Sequence, residues 1–209
     1  MYKNKIHLIL GSGVNTKYFE VEKEPDYPPI IVTYLGRIIK DKGIENLIDA
    51  FNIVNETNKE IYLIIAGSID YLNPSTISEE YIKNAISNNS NISWIGEVSN
   101  VKELWRKSHI AVLPSKREGL PKSLLEAAAC GRAIISTNVP GCREIAINGV
   151  NAKLVNFGNV RQLSKAILFL SENHLVRKSY GLKSRELVES DMSEDKVIKN
   201  TLSFYKKLN

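Results

Sequence analysis

The chain has 209 residues, 43% of them hydrophobic and 24% charged, and carries a formal charge of +5. That balance is the one expected of a soluble globular protein and excludes a disordered tract, a collagen and a coiled coil. The apolar runs fall far short of the ~20 residues a membrane-spanning helix needs, and Met1-Tyr2-Lys3-Asn4-Lys5 leads into too short an apolar stretch for a signal peptide.

In chain order, Ile6–Leu10 reads as a strand followed by a turn at Gly11 and Gly13. The β-branched run Ile30–Leu35 is a second strand, and Ile44, Leu47, Ile48, Phe51 and Val54 then fall at helical spacing. Ile61–Ala66 is a strand ending at Gly67, Ser78–Ser87 is helical, and Ile92–Ile95 is a short strand ending at Gly96. A short helix over Val101–Lys107 leads to a strand over Ile110–Leu113, closed by Pro114. Pro121–Cys130 is a helix, with proline in the first turn and Gly131 as its stop. Ala133–Ser136 and Ala152–Val155 are strands, and from Val160 onward the chain is helical with breaks near Asn173 and Asp191. Such alternation predicts an α/β fold, a parallel sheet with helices on both faces. Its site is expected at the carboxyl ends of the strands.

Several motifs lead nowhere. Gly11-Ser12-Gly13-Val14-Asn15-Thr16 begins like a dinucleotide fingerprint, but Thr16 replaces the third glycine and no acidic residue ends the next strand. Gly36–Gly43 is not a P-loop, because no Gly-Lys-Ser/Thr occurs. Cys130 and Cys142 form neither a CxxC nor a ligand set with His7, His109 and His174, and are expected as reduced thiols. Arg161–Asn209 holds ten Lys and Arg against six Asp and Glu. That surplus fits a solvated helix face, an acidic membrane surface or another anionic partner. Nucleic acid is not expected, because no aromatic-interleaved basic stripe accompanies the charge.

Two stretches carry chemistry. In Tyr34–Gly43 a strand ends at Gly36, and Arg37 and Lys42 bracket the following loop. A guanidinium fork and a mobile ammonium there suit a pyrophosphate, although two solvated loop cations would look the same. In Pro114–Ala127 a strand ends, a loop containing Glu118 and Gly119 turns, and a helix starts near Pro121. The amides of Leu120, Lys122 and Ser123 then lie at the positive end of that helix, which favours an anion by ~0.3–1 kcal/mol. Glu126 stands among Leu124, Leu125, Ala127, Ala128 and Ala129. A carboxylate so placed either marks the exposed stripe of the helix or needs donors such as the paired hydroxyls of a ribose.

Glu118 and Glu126 have seven residues between them, the E-x7-E spacing of retaining glycosyltransferases of the GT-B fold. The chain resembles the C-terminal domain of glycosyltransferase family 4. The likeness runs in order through Gly11–Asn15, Gly36-Arg37, Lys42-Gly43, Ile64–Gly67, Trp94–Gly96, Leu113–Ser115, Glu118–Glu126, Ala133–Thr137 and Val139–Glu144. One departure is Asn151-Ala152, where a second glycine is usual.

The resemblance implies a Rossmann-like fold forming the C-terminal half of a GT-B enzyme. It divides the chain into an interdomain strand and turn over residues 1–20, a core over 30–160 and C-terminal helices over 161–209. Arg37 and Lys42, beside Gly36, would grip the donor diphosphate; Glu126 would hold the ribose. Glu118 would act at the sugar beside the reacting bond, and the backbone of Gly119, Leu120, Pro121 and Lys122 would face sugar and phosphate. Val98, in the loop Gly96-Glu97-Val98, and Leu104 would cover the base. No metal and no other cofactor is implied. Pro140–Glu144 resembles bacterial enzymes that extend lipid-linked glycans, so the implied donor is a UDP-sugar. The family's N-terminal acceptor domain is missing from this sequence. The full enzyme is expected in the cytoplasm, peripherally associated with the inner face of the membrane. A free-standing sugar-nucleotide-binding module without catalysis of its own is the alternative.

Overall fold

In the computed structural model, which describes residues 9 and 11–206, strands and helices alternate from Ile30 to Glu172, and further helices follow to Lys206. They are β1 (Ile30–Leu35), α1 (Ile44–Thr57), β2 (Ile61–Ala66), α2 (Glu79–Asn88), β3 (Ile92–Trp94), α3 (Val101–Arg106) and β4 (Ile110–Leu113). Then follow α4 (Lys122–Ala129), β5 (Ala133–Thr137), α5 (Cys142–Ile145), β6 (Ala152–Val155), α6 (Val160–Glu172), α7 (His174–Leu187) and α8 (Glu194–Lys206). The strand expected over Ile6–Leu10 lies outside the described residues, as does His7.

The expected strand bounds hold for β1, β2, β4 and β6, and in the first three an apolar run closed by glycine or proline leaves little choice. A 3-10 turn at Lys40–Lys42 and the four residues of α5 escaped the reading; both are too short to show a period. The helix expected from Pro121 starts one residue later, with Pro121 extended as its N-cap. The break near Asp191 is a wide π turn over Val188–Met192.

All strand pairs are parallel, in the order β3-β2-β1-β4-β5-β6. Because β1-α1-β2 steps one way along the sheet and β4-α4-β5 the other, right-handed crossovers put α1 and α4 on opposite faces. Helix α6 packs beside α1, while α3 and α7 pack with α4. Covered on both faces, β4 and β5 bury every residue. The apolar stripe of α1, Ile44, Leu47, Ile48, Phe51 and Val54, is wholly buried.

The basic C-terminal segment from Arg161 departs from a purely solvated face. Arg177 is fully buried and bonds both carboxylate oxygens of Glu24, at 3.2–3.3 Å. Arg185 donates to the carbonyls of Phe19 and Ala129. These arginines, with buried Arg132 donating to the Glu22 carbonyl, clamp the extended segment before β1 onto the helices. Buried arginines of this kind satisfy backbone carbonyls that no sheet partner reaches. The charges of α8, such as Lys196 and Lys199, stay exposed as expected.

Candidate functional site

The strand order reverses between β1 and β4, so the loops after these neighbours diverge and leave a crevice at their carboxyl ends. Both chemistry-bearing stretches of the sequence emerge there, Gly36–Lys42 from β1 and Pro114–Glu118 from β4.

Close backbone approaches set the loops. Gly43, at φ +74°, lies where an added Cβ would come within 2.2 Å of the Pro114 carbonyl oxygen, so the loops after β1 and β4 touch. Asp41 reinforces the contact: its carbonyl accepts from the Lys116 amide at 2.8 Å, and its carboxylate meets Arg117 at 3.3 Å. On the other side Gly141, at φ +81°, abuts the carbonyl oxygens of Glu118 and Gly119. Only a residue without a side chain fits either place.

These contacts bring Lys42 and Glu118 together. Lys42 Nζ donates to Glu118 Oε1 at 2.5 Å, with side-chain exposures of 20% and 9%. Arg37 stands on the same loop as Lys42 but pairs with Asp70 instead, Nη1 to Oδ2 at 2.7 Å, and is more open at 57%. Under both runs Tyr34, fully buried, whose hydroxyl donates to the Arg37 carbonyl at 2.7 Å. Burial pushes the Tyr34 phenol up, the Glu118 charge adds to that shift and the Arg37 charge opposes it.

Glu126 is buried together with Leu124, Leu125, Ala127, Ala128 and Ala129 of the same helix, which removes the exposed-stripe reading. Burial raises its carboxyl above the usual range, and Lys122, 4.0 Å away and mostly exposed, opposes the shift only weakly. A buried carboxylate without close donors is costly and gains most from a hydroxyl-bearing ligand. Pro121 is buried, Leu120 is half-buried against Gly11, and Gly119 faces open space. The first amides of α4, at Lys122 and Ser123, lie at its N-terminus, where the helix itself supplies no acceptor. In the loop after β3 Val98 is half-buried, whereas Leu104 on α3 shows only 7% of its surface.

Tyr34, Asp70 and Gly141 were not singled out by the sequence for this site. Asp70 has no local signature: only the β1–β2 register, which sets Leu35 beside Ala66, brings its loop to Arg37. Gly141 lay within a recognised stretch, but its contact with the Glu118 loop needs the β4–β5 pairing.

The family model of glycosyl transferases group 1 matches residues 15–187 of the chain. The chain is 29% identical over 175 residues to the capsular polysaccharide biosynthesis glycosyltransferase CapM of Staphylococcus aureus, covering 84% of this chain and 45% of that protein. It is 30% identical over 188 residues to the N,N'-diacetylbacillosaminyl-diphospho-undecaprenol alpha-1,3-N-acetylgalactosaminyltransferase of Campylobacter jejuni, covering 84% and 47%. The chain thus spans about half the length of the curated relatives it matches. Its fold is shared with Anabaena HepE, solved in complex with UDP, at a TM-score of 0.79, 15% identity, and coverage of 94% of this chain and 55% of that one. A model match over most of the sequence, on a GT-B-type parallel sheet, shows that the chain belongs to the group 1 glycosyl transferases.

Proposed function

We propose that this chain is the donor-binding domain of a retaining hexosyltransferase that takes its sugar from a nucleotide sugar, UDP-linked, for surface-glycan synthesis. The observation that carries the reading is the gathering of Arg37, Lys42, Glu118 and the N-terminus of α4 around one crevice. Two cations and a helix N-terminus suit a diphosphate, and the buried Glu126 suits a ribose. HepE binding UDP, and the lipid-diphosphate acceptor in the Campylobacter enzyme's name, support the choice of donor and acceptor class. A lipid-linked acceptor would bring the full enzyme to the inner face of the membrane.

In the reaction the bond from the sugar's anomeric carbon to the diphosphate breaks, and a bond to the acceptor oxygen forms on the same face. The acceptor proton passes to the departing diphosphate. Arg37, Lys42 and the amides opening α4 stabilise the charge growing on that leaving group, while Glu118 orients the sugar. The acceptor must be held against the anomeric carbon with water excluded, which takes a second wall to the cleft. Calorimetry of the chain with UDP, GDP and ADP in chelator tests the reading: UDP is expected to bind without a divalent metal. A folded sample that binds none of the three would overturn it. The 209 residues alone are expected to transfer no sugar, and a protein carrying an acceptor domain to keep the donor's anomeric configuration.

A further inference from the structure

The Arg37–Asp70 pair bridges two loops that are stitched together on both sides of it. Beyond β1 and β2 the chain keeps pairing: Ile38 bridges Ile69 and donates its amide to the Ser68 carbonyl at 3.0 Å, while Ile39 bridges Thr76. The Lys40 amide bonds the Ser75 carbonyl at 2.7 Å, and the Asp41 amide bonds the Ser75 hydroxyl. Asp70 is fixed inside this frame, its own carbonyl accepting from the Asn73 amide and the Thr76 hydroxyl. The backbone that carries its carboxylate is therefore fixed, and the side chain is 28% exposed.

Arg37 is the opposite case, a long side chain with more than half its surface in water. Left unpaired it would sample many rotamers and lose that freedom on meeting a ligand. The bond to Asp70 engages Nη1, and among the described residues no other side chain claims the rest of the fork. We propose that Asp70 is a positioning residue, holding Arg37 in advance in the orientation in which its free N–H groups meet the donor diphosphate. Asp70 acts through Arg37 and does not touch the ligand. The inference rests on the donor-binding reading given above. Its carboxylate also lies near the incoming phosphate charge, but at an exposed site screening weakens that repulsion, whereas ordering of the arginine is retained in full.

The test is calorimetry of the 209-residue chain with whichever of UDP, GDP and ADP binds the unaltered protein, on Asp70→Asn, Arg37→Gln and the double variant. Asp70→Asn is expected to weaken binding about 3–10-fold, in the range of residues in contact, and to add no loss in the Arg37→Gln background. Asp70→Glu, which keeps the charge, is expected to restore part of the affinity and serves if the asparagine variant folds poorly. Binding by Asp70→Asn equal to or tighter than the unaltered protein, or an equal loss with Arg37 already removed, would overturn the positioning role and leave the donor site standing. Failure of the unaltered chain to bind any of the three would instead remove the donor reading and this inference with it.

Discussion

Lys42 and Glu118 stand 76 positions apart in the chain and meet at 2.5 Å across the crevice between β1 and β4. Each is largely withdrawn from water, so the Lys42 cation is already matched by a carboxylate. A diphosphate entering the crevice competes with Glu118 for Lys42. Neutralising Glu118 should therefore tighten the bare nucleotide while harming catalysis. Glu118→Gln is expected to bind UDP about 3–10-fold more tightly by calorimetry and to abolish transfer in the full enzyme. Lys42→Ala, which strands Glu118, is expected to weaken UDP by at least a comparable factor. Weaker UDP binding by Glu118→Gln would show that the pair is structural.

Glu126 tests the ribose. Its removal takes away a partner for hydroxyls but none for phosphate, so Glu126→Ala should weaken UDP far more than inorganic pyrophosphate. Equal losses would assign it to the fold.

The same burial has a stability consequence. Because folding raises the Glu126 carboxyl above its ordinary range, the folded state is favoured by its protonated form. Its cost is full above the raised value, fades as pH falls from there toward the ordinary one, and is gone below it. Thermal melts should find Glu126→Gln more stable than the unaltered chain at pH 7.5, with the difference shrinking toward pH 4. A gain that does not change with pH would point to packing instead.

His109 behaves in the opposite sense. Fully buried, it accepts the Ile31 amide on Nδ1 at 3.0 Å, which leaves Nε2–H to donate to the Pro25 carbonyl at 3.2 Å. A second proton would break the first bond. Burial holds its pKa down at about 4, with Glu24 opposing and Arg177 assisting the shift. The stability this gives is complete above the ordinary histidine value of about 6.5 and lost as pH falls toward 4, at about 1.4 kcal/mol per pH unit. Urea unfolding across that window should show the slope in the unaltered chain and its loss in His109→Gln.

Gly141→Ala probes how the site loop is held. An added Cβ would lie 1.9 Å from the Gly119 oxygen and 2.5 Å from that of Glu118, at a φ few side chains adopt. A loss of about 2 kcal/mol or more is expected in urea unfolding, together with weaker nucleotide binding. An unchanged midpoint with unchanged affinity would refute the close approach.

Local patterning by itself determined the strands, the larger helices and the parallel α/β class of this protein. Runs such as Ile30–Leu35 and the 3.6-residue stripe of α1 admit one conformation, and Gly131 or Pro114 ends what precedes it. Arg37, Lys42, Glu118 and Glu126 were legible as charges at strand ends or inside an apolar helix. What each of them touches was decided only in three dimensions. Glu118 meets Lys42 because β4 is hydrogen-bonded to β1, and Arg37 finds Asp70 because β2 lies on the other side of β1. The burial of Glu126 follows from packing α4 under α3 and α7, and that of Arg177 from the segment around Glu24 folding back across the chain. Pairings between segments tens of residues apart leave no local period or cap. Their energy comes from desolvation and neighbouring charge, which exist only once the sheet has set its strand order.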